Sequence, residues 1–223
     1  MPSHDTATAT GTTTVQQALR AALRDVVGPA ARAHGFRGSA PTWRRTNDRG
    51  DHAIVNVQSS QFSTRRLLPC VVNLSVAPAP WLDWIGSGSV RPVPKAVSEA
   101  FGLYRERLHP TGATPGMDIW WDITHPDQVA AVAADMVRQL DRSGWPVLER
   151  LLDRGALLEE VTRLGLGAHA RAVLLCDDGP SAELDAALAL ALAEARPPHL
   201  ANAERFDAWA RARAAARGDV ARG

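Results

Sequence analysis

The segment HAIVNVQSSQFS, residues 52–63, alternates in a way that separates two kinds of chemistry. Ala53, Val55 and Val57 fall on one side of an extended chain. Ile54, Asn56, Gln58 and Ser60 fall on the other, because successive side chains of a strand point to opposite faces. The later LLPCVVNLSV alternates likewise and offers Asn73 and Ser75. If the two strands are neighbours, Asn56, Gln58, Asn73 and Ser75 share one sheet face. Trp120 and Asp122 of MDIWWDIT can join them, with Trp43 or Arg44 of PTWRRT. Amides, hydroxyls, indoles and a guanidinium on one face would make a binding floor for a polar ligand, with Arg107 pairing an anionic group. Two blander accounts stay open. One is the ordinary wetted face of an antiparallel sheet. The other is a set of amides that satisfies the backbone of a covering loop.

Other chemistries lack their residue patterns. Asp118 and Asp122, on one side of a strand, would stand roughly 13 Å apart at about 3.3 Å per residue, too far for the paired acids of glycoside hydrolysis. Asp118 reads instead as a turn residue and Trp121 as core. His109, His125, His169 and His199 have no metal-ligand spacing, and His125-Pro126 reads as a helix start. Gly165-Leu166-Gly167-Ala168-His169-Ala170 matches a dinucleotide fingerprint in letters but follows a helical stretch, so it reads as a turn between helices. Cys70 and Cys176 sit in apolar runs and read as buried thiols. No catalytic residue, metal site or cofactor is therefore assigned.

These side chains need elements to position them. Residues 1–12 read as a disordered tail. Thr13 with Gln16 reads as a capping box, ahead of an apolar stripe from Val15 to Ala30 that Gly35 terminates. Strands follow in PTWRRT, HAIVNVQSS, LLPCVVNLSV and MDIWWDIT, the first three linked closely enough for an antiparallel meander. Between the third and fourth lies an insertion, residues 77–116, rich in Pro, Gly and Ser and carrying Trp81 and Trp84. From Asp127 onward the pattern is helical, with a break at Gly155 and Ala-rich helices beyond Gly165. The expected fold is α+β: an N-terminal helix, an antiparallel sheet of about four strands covered on one face by helices, and a C-terminal helical appendage over 165–223.

The order GFRGSAPTWRRT, VNVQSSQFS, VVNLSV, RERL, DIWWDI and WPVLERL resembles the bacterial DUF4304 family over roughly residues 15–161, which places a family-like domain at 13–164. That resemblance implies a fold and brings no assigned activity.

Bulk properties narrow the function classes. Hydrophobic residues make up 45% and charged residues 22% of 223 residues, with a formal net charge of +1. This is ordinary for a soluble globular chain and supplies no field for nucleic acid or anionic membrane. Arg44, Arg65, Arg66 and Arg105 would have to share one surface for a nucleic-acid reading to hold. The start has no signal-peptide pattern and no run is long enough for a bilayer, so the expected location is cytoplasmic. The leading expectation is a non-enzymatic module that binds another protein through the open sheet face, with the Trp81–Trp84 insertion as a flap. The alternative is a small-ligand protein or enzyme with a polar site on the same face.

Overall fold

The computed structural model describes residues 14–64, 66–88 and 93–220. The N-terminal tail, Thr13 and Arg65 lie outside the described residues. The elements are α1 Val15–Ala22, α2 Gly28–Ala33, β1 Arg37–Ser39, β2 Thr42–Thr46, β3 His52–Ser59, β4 Leu68–Ala77, α3 Ala79–Ser87, β5 Tyr104–Leu108 and β6 Trp121–Ile123. Helices α4 Val129–Gln139, α5 Trp145–Leu151, α6 Arg154–Arg163, α7 Gly167–Leu175, α8 Ala182–Glu194 and α9 Leu200–Val220 complete the chain. The sheet is antiparallel, in the order β1-β2-β3-β4-β5, with β6 beside β5 on the same edge of β4.

The architecture is the expected α+β fold, with local differences. The capping box forms one residue later than expected, between Thr14 and Gln17. Two short strands, β1 and β5, enlarge the sheet to six. The insertion is not a bare loop, since it folds into α3, a 3-10 turn at Glu99–Phe101 and β5. Strand β6 keeps only Trp121–Ile123, which leaves Asp118 and Trp120 in the preceding coil. The break expected at Gly155 falls earlier: Asp153 caps α6 by accepting from the Ala156 N–H at 2.9 Å.

Two wide helical turns have a common cause. Leu23–Val27 joins α1 to α2, and Leu140–Gly144 joins α4 to α5. Each is followed at the second residue by a proline, Pro29 and Pro146. Proline has no N–H to donate, and its ring collides with the carbonyl four residues back. In both cases that carbonyl, of Asp25 or Arg142, lies inside the wide turn, which lets each helix continue instead of breaking.

The inner sheet face carries Trp43, Val55, Val57, Cys70, Val72, Leu74 and Val76, all buried with Leu19, Leu23, Val27, Met136, Leu140, Trp145 and Leu148 of the covering helices. The same core extends to Leu184, Leu188, Phe206 and Ala210 of α8 and α9. A smaller cluster, Ile54, Ala77, Leu82 and Val97, lies on the outer face, where the insertion covers one end of the sheet.

A chain of buried charges ties these layers together. Asp51, in the β2–β3 turn, takes a two-pronged bond from Arg154 (Nε 3.0 Å, Nη2 2.7 Å) and also accepts the Ala79 N–H at the start of α3 at 2.8 Å. Arg154 reaches on to Asp177 at 2.5 Å, and Arg213 of α9 joins Asp177 at 2.5 Å and Asp83 of α3 at 2.8 Å. Asp51 and Arg154 are 2% and 6% exposed, so neither has water as an alternative partner. Burial on its own would raise the Asp177 carboxyl, but the hydrogen bonds from Arg213 and Arg154 outweigh it and hold the group at about 2. The Asp51 carboxyl is likewise lowered, through Arg154 and the Ala79 N–H acting against its burial.

Removing one partner strands the others in a dry interior. Arg154→Met is expected to cost about 3–5 kcal/mol in urea unfolding. A depressed folded value contributes stability above the unfolded carboxyl value of about 3.9 and loses it as pH falls toward the folded one. The urea midpoint is therefore expected to stay level from about pH 7 to 5 and drop below about pH 4. Asp177→Asn should be less stable at neutral pH and flatter in acid.

Candidate functional site

The outer face is built of transverse rows, because residues paired across an antiparallel ladder share a face. One row reads Thr46, His52, Ala77; the next reads Arg44, Ile54, Ser75, Arg105; the third reads Thr42, Asn56, Asn73, Arg107. Beyond it Gln58 faces Val71, and farther still Pro69 faces Asp122. The insertion covers the middle of the first two rows and leaves Thr46 and Arg105 at their ends exposed. Leu82 and Val97 pack on Ile54 and Ala77, and the Arg44 guanidinium donates to the Val97 carbonyl. Ser75 is fully buried there, and a Cβ placed on Gly102 would come within 1.9 Å of its Oγ. Ser75 is thus on the expected face but closed off from any ligand, because the chain crosses it at a glycine.

In the third row Arg107 is exposed while Asn56 and Asn73 are nearly buried, and the row is joined by side chains from strand to strand. Arg107 Nε donates to Asn73 Oδ1 at 3.4 Å, and Asn73 Nδ2 donates to Gln58 Oε1 at 3.0 Å and Asn56 Oδ1 at 3.4 Å. Asn56 Nδ2 then donates to Thr42 Oγ1 at 2.8 Å. The direction follows from the arginine. A guanidinium has no acceptor, so Asn73 must turn its oxygen to Arg107 and its NH2 to the other amides, which must answer with oxygens. Gln58, exposed at the end of the network, therefore turns its NH2 away from Asn73. Asn56, Gln58 and Asn73 share the face opposite the helical layer, as the alternation predicts, but only Gln58 is exposed and the two asparagines are nearly buried.

Arg107 is held from two further sides. Its Nη1 donates to Asp118 at 2.6 Å, and its guanidinium lies 5.4 Å from the centre of the Trp120 ring. Trp120 thus joins the site as expected, although from coil. Asp122 does not join the network. It faces Pro69, four residues from Asn73 along β4, or roughly 13 Å at strand rise. The carboxylate that meets Arg107 is Asp118, which the spacing argument had left as a turn residue.

Trp81 and Trp84 lie elsewhere. Helix α3 turns Leu82 toward the sheet and both indoles toward the C-terminal helices. Trp84 packs on Phe206 and Trp209 at ring separations of 5.0 and 5.5 Å, and His169 stacks on Phe206 at 3.7 Å. Trp81 Nε1 donates to the Phe101 carbonyl at 2.8 Å. The two tryptophans are an internal seam and not a flap. Their partners are set by long-range packing, and WLDW carries no local signal for it.

Two hollows flank the ladder. A groove of about 950 Å³ opens at the end of β3, between α1 and the β1–β2 turn, and includes Gln16, Arg20, Arg24, Asn56, Gln58 and Glu99. A hollow of about 440 Å³ on the other side includes Asn73, Arg105, Arg107, His109, Met117 and Asp118. Arg105 and His109 line this hollow, although the sequence points to them only as a nucleic-acid contact and a scattered histidine. The signal is the alternation R-E-R-L-H, which shows only once that segment is known to be a strand. Of the guanidiniums in the nucleic-acid reading, three are described, and they are spread out, with Arg44 taken up by the Val97 carbonyl. Arg44 and Arg105 end one row on opposite sides of Ile54 and Ser75, and Arg66 lies in the β3–β4 turn.

Nucleophilic chemistry finds no support in the thiols. Cys70 and Cys176 are free and buried, and burial pushes both up to about 12, so neither is a thiolate near neutrality. Among the described residues, no cluster of three His, Cys, Asp or Glu side chains is placed to hold a metal ion, and no helix is long and apolar enough to cross a membrane.

Residues 27–150, more than half of the chain, match the family described as a domain of unknown function, DUF4304, and the chain belongs to that family. No curated protein and no solved structure matches it.

The ladder makes its own prediction. Asn73→Ala removes three side-chain hydrogen bonds in a nearly buried row and should cost about 1–3 kcal/mol in urea unfolding. Gln58→Ala, at the exposed end, should stay within about 0.5 kcal/mol.

Proposed function

We propose that this chain is a binding protein that takes up a polar, acceptor-rich ligand at the exposed Gln58, Arg105 and Arg107 of its outer sheet face. The observation that carries the reading is the one-way hydrogen-bond order that Arg107 imposes. It ends in outward-facing donors: the Gln58 NH2 group, the spare N–H groups of Arg107, and Arg105 beside it. A surface that offers donors is matched by carbonyl, carboxylate or phosphate oxygens. The hollows on either side have the size of small-molecule sites and reach the ladder from both ends.

This reading inverts the order of the two sequence-based expectations. A protein partner gripped by a tryptophan flap has lost its flap, since Trp81 and Trp84 are packed against α7 and α9. A protein partner retains one observation in its favour. Phe62, in the β3–β4 turn, is 78% exposed, and Met117, beside Arg107, is 57% exposed.

Native purification followed by mass spectrometry, under non-denaturing conditions, tests the reading. A small molecule should accompany the wild-type chain and be lost from a Gln58→Ala, Asn73→Ala double variant that remains folded by circular dichroism. A captured molecule that the double variant keeps would remove the ladder from the function. A stoichiometric protein whose retention depends on Phe62 would favour the partner reading instead.

A further inference from the structure

The geometry points to Asp118 as an internal placeholder for an oxyanion: a carboxylate or phosphate group of the ligand displaces it from Arg107. The inference rests on the binding face proposed above and names the chemical group that lands there.

Three observations converge. First, the outer face of β5 presents Arg105, Arg107 and, just past the strand, His109 at period two, all lining the same hollow. Arginine at such a stripe takes a planar oxyanion through paired N–H groups. Second, the position facing Arg107 is already filled by a carboxylate, at 2.6 Å from Nη1. The two side chains are 41% and 52% exposed, so this pair is wetted and cheap to exchange, unlike the buried Asp51–Arg154 pair. Third, Asp118 sits in a coil stretch that is held at both ends, with one internal turn in which the Met117 N–H donates to the Thr114 carbonyl at 3.1 Å. Thr111 N–H donates to Asp135 at 3.0 Å, and His109 Nδ1 donates to the Ile119 carbonyl at 2.8 Å. Between them Gly112 and Gly116 have φ of +83° and +80°, with nothing within 4 Å of where a Cβ would stand. The exposed Asp118 side chain can leave Arg107 by rotating about its own bonds, with the backbone, β5 and the Asn73 bond in place.

The arrangement has a chemical logic. An uncovered arginine over an indole would attract any anion. An internal carboxylate sets a threshold, and only a ligand that also engages the amides beside Arg107 exceeds it. Asp118 thus keeps the ladder in its donor order while the site is empty of ligand, and leaves Arg107 aimed at the same point when it withdraws.

Titration with succinate and, separately, inorganic phosphate tests this. The readouts are the NMR signals of the Trp120 indole N–H and the Arg107 Nε–H. At least one probe should shift both signals, and which probe does so identifies the group as carboxylate or phosphate. Asp118→Asn should bind that probe about threefold more tightly or better, since the competing charge is gone. Arg107→Gln should abolish binding, and Arg105→Gln should weaken it. Both positions are exposed, so the variants should remain folded. Equal affinity in wild type and Asp118→Asn, or binding that survives Arg107→Gln, would overturn the placeholder. A neutral molecule retained through Gln58 and Asn73 but indifferent to Arg107→Gln would overturn it too, and leave the binding face standing. Anion binding that obeys Arg107 and Asp118 but ignores the Gln58→Ala, Asn73→Ala variant would support the placeholder and remove the amides from the site.

Discussion

The pairing of Arg154 with Asp51 and Asp177 is the interaction on which the arrangement of layers depends. Asp51 lies in the turn that starts β3 and also receives the first N–H of α3. Asp177 follows α7 and receives Arg213 of α9. One guanidinium therefore fixes the sheet, the insertion helix and the C-terminal helices relative to one another. A hydrophobic replacement could fill the same volume but would not specify which carboxylate meets which helix. Buried ion pairs are a poor source of net stability and a strong source of destabilisation when broken. Their effect here is to make one packing of α3 and α9 much better than its neighbours.

That packing decides what the outer face can do. With α3 held at Asp51, its apolar side closes over Ile54 and Ala77, and its indoles turn to His169, Phe206 and Trp209. Among the described residues, the apolar cover of α3 and Val97 ends at the second row. The boundary falls on the row in which amides and a guanidinium replace aliphatic side chains.

The contrast between the two arginine sites separates structure from function. Arg154 is dry, fully paired and shared among three elements. Arg107 is wetted, leans on an indole and holds one carboxylate on a glycine-flanked stretch. The first arrangement resists change because any loss leaves a charge without water. The second tolerates exchange, because solvent and an incoming oxyanion offer its partners comparable bonds. Equal charge chemistry thus serves opposite ends according to burial.

The sequence by itself determined those features whose cause is local. Period-two alternation put Asn56, Gln58 and Asn73 on one face, Gly35 and Gly165 marked helix ends, His125-Pro126 marked a helix start, and apolar flanks buried both thiols. It also placed Trp121 in the core and the Gly165–Gly167 turn between α6 and α7. Only the tertiary structure decided which of the outward residues stay outward. Ser75 and Asn73 look alike in the sequence, two positions apart on one strand, yet one is sealed beneath Gly102 and the other, though nearly buried, is hydrogen-bonded to the exposed Gln58 and Arg107. Asp118 and Asp122 are likewise indistinguishable until β6 is found to begin at Trp121, which frees the first to reach Arg107 and commits the second to the edge opposite Pro69. The reason is physical: alternation is set by adjacent backbone atoms, whereas coverage is set by where a helix forty or a hundred residues away is pinned, and that pinning resides in pairs such as Asp51–Arg154 that no local pattern reveals.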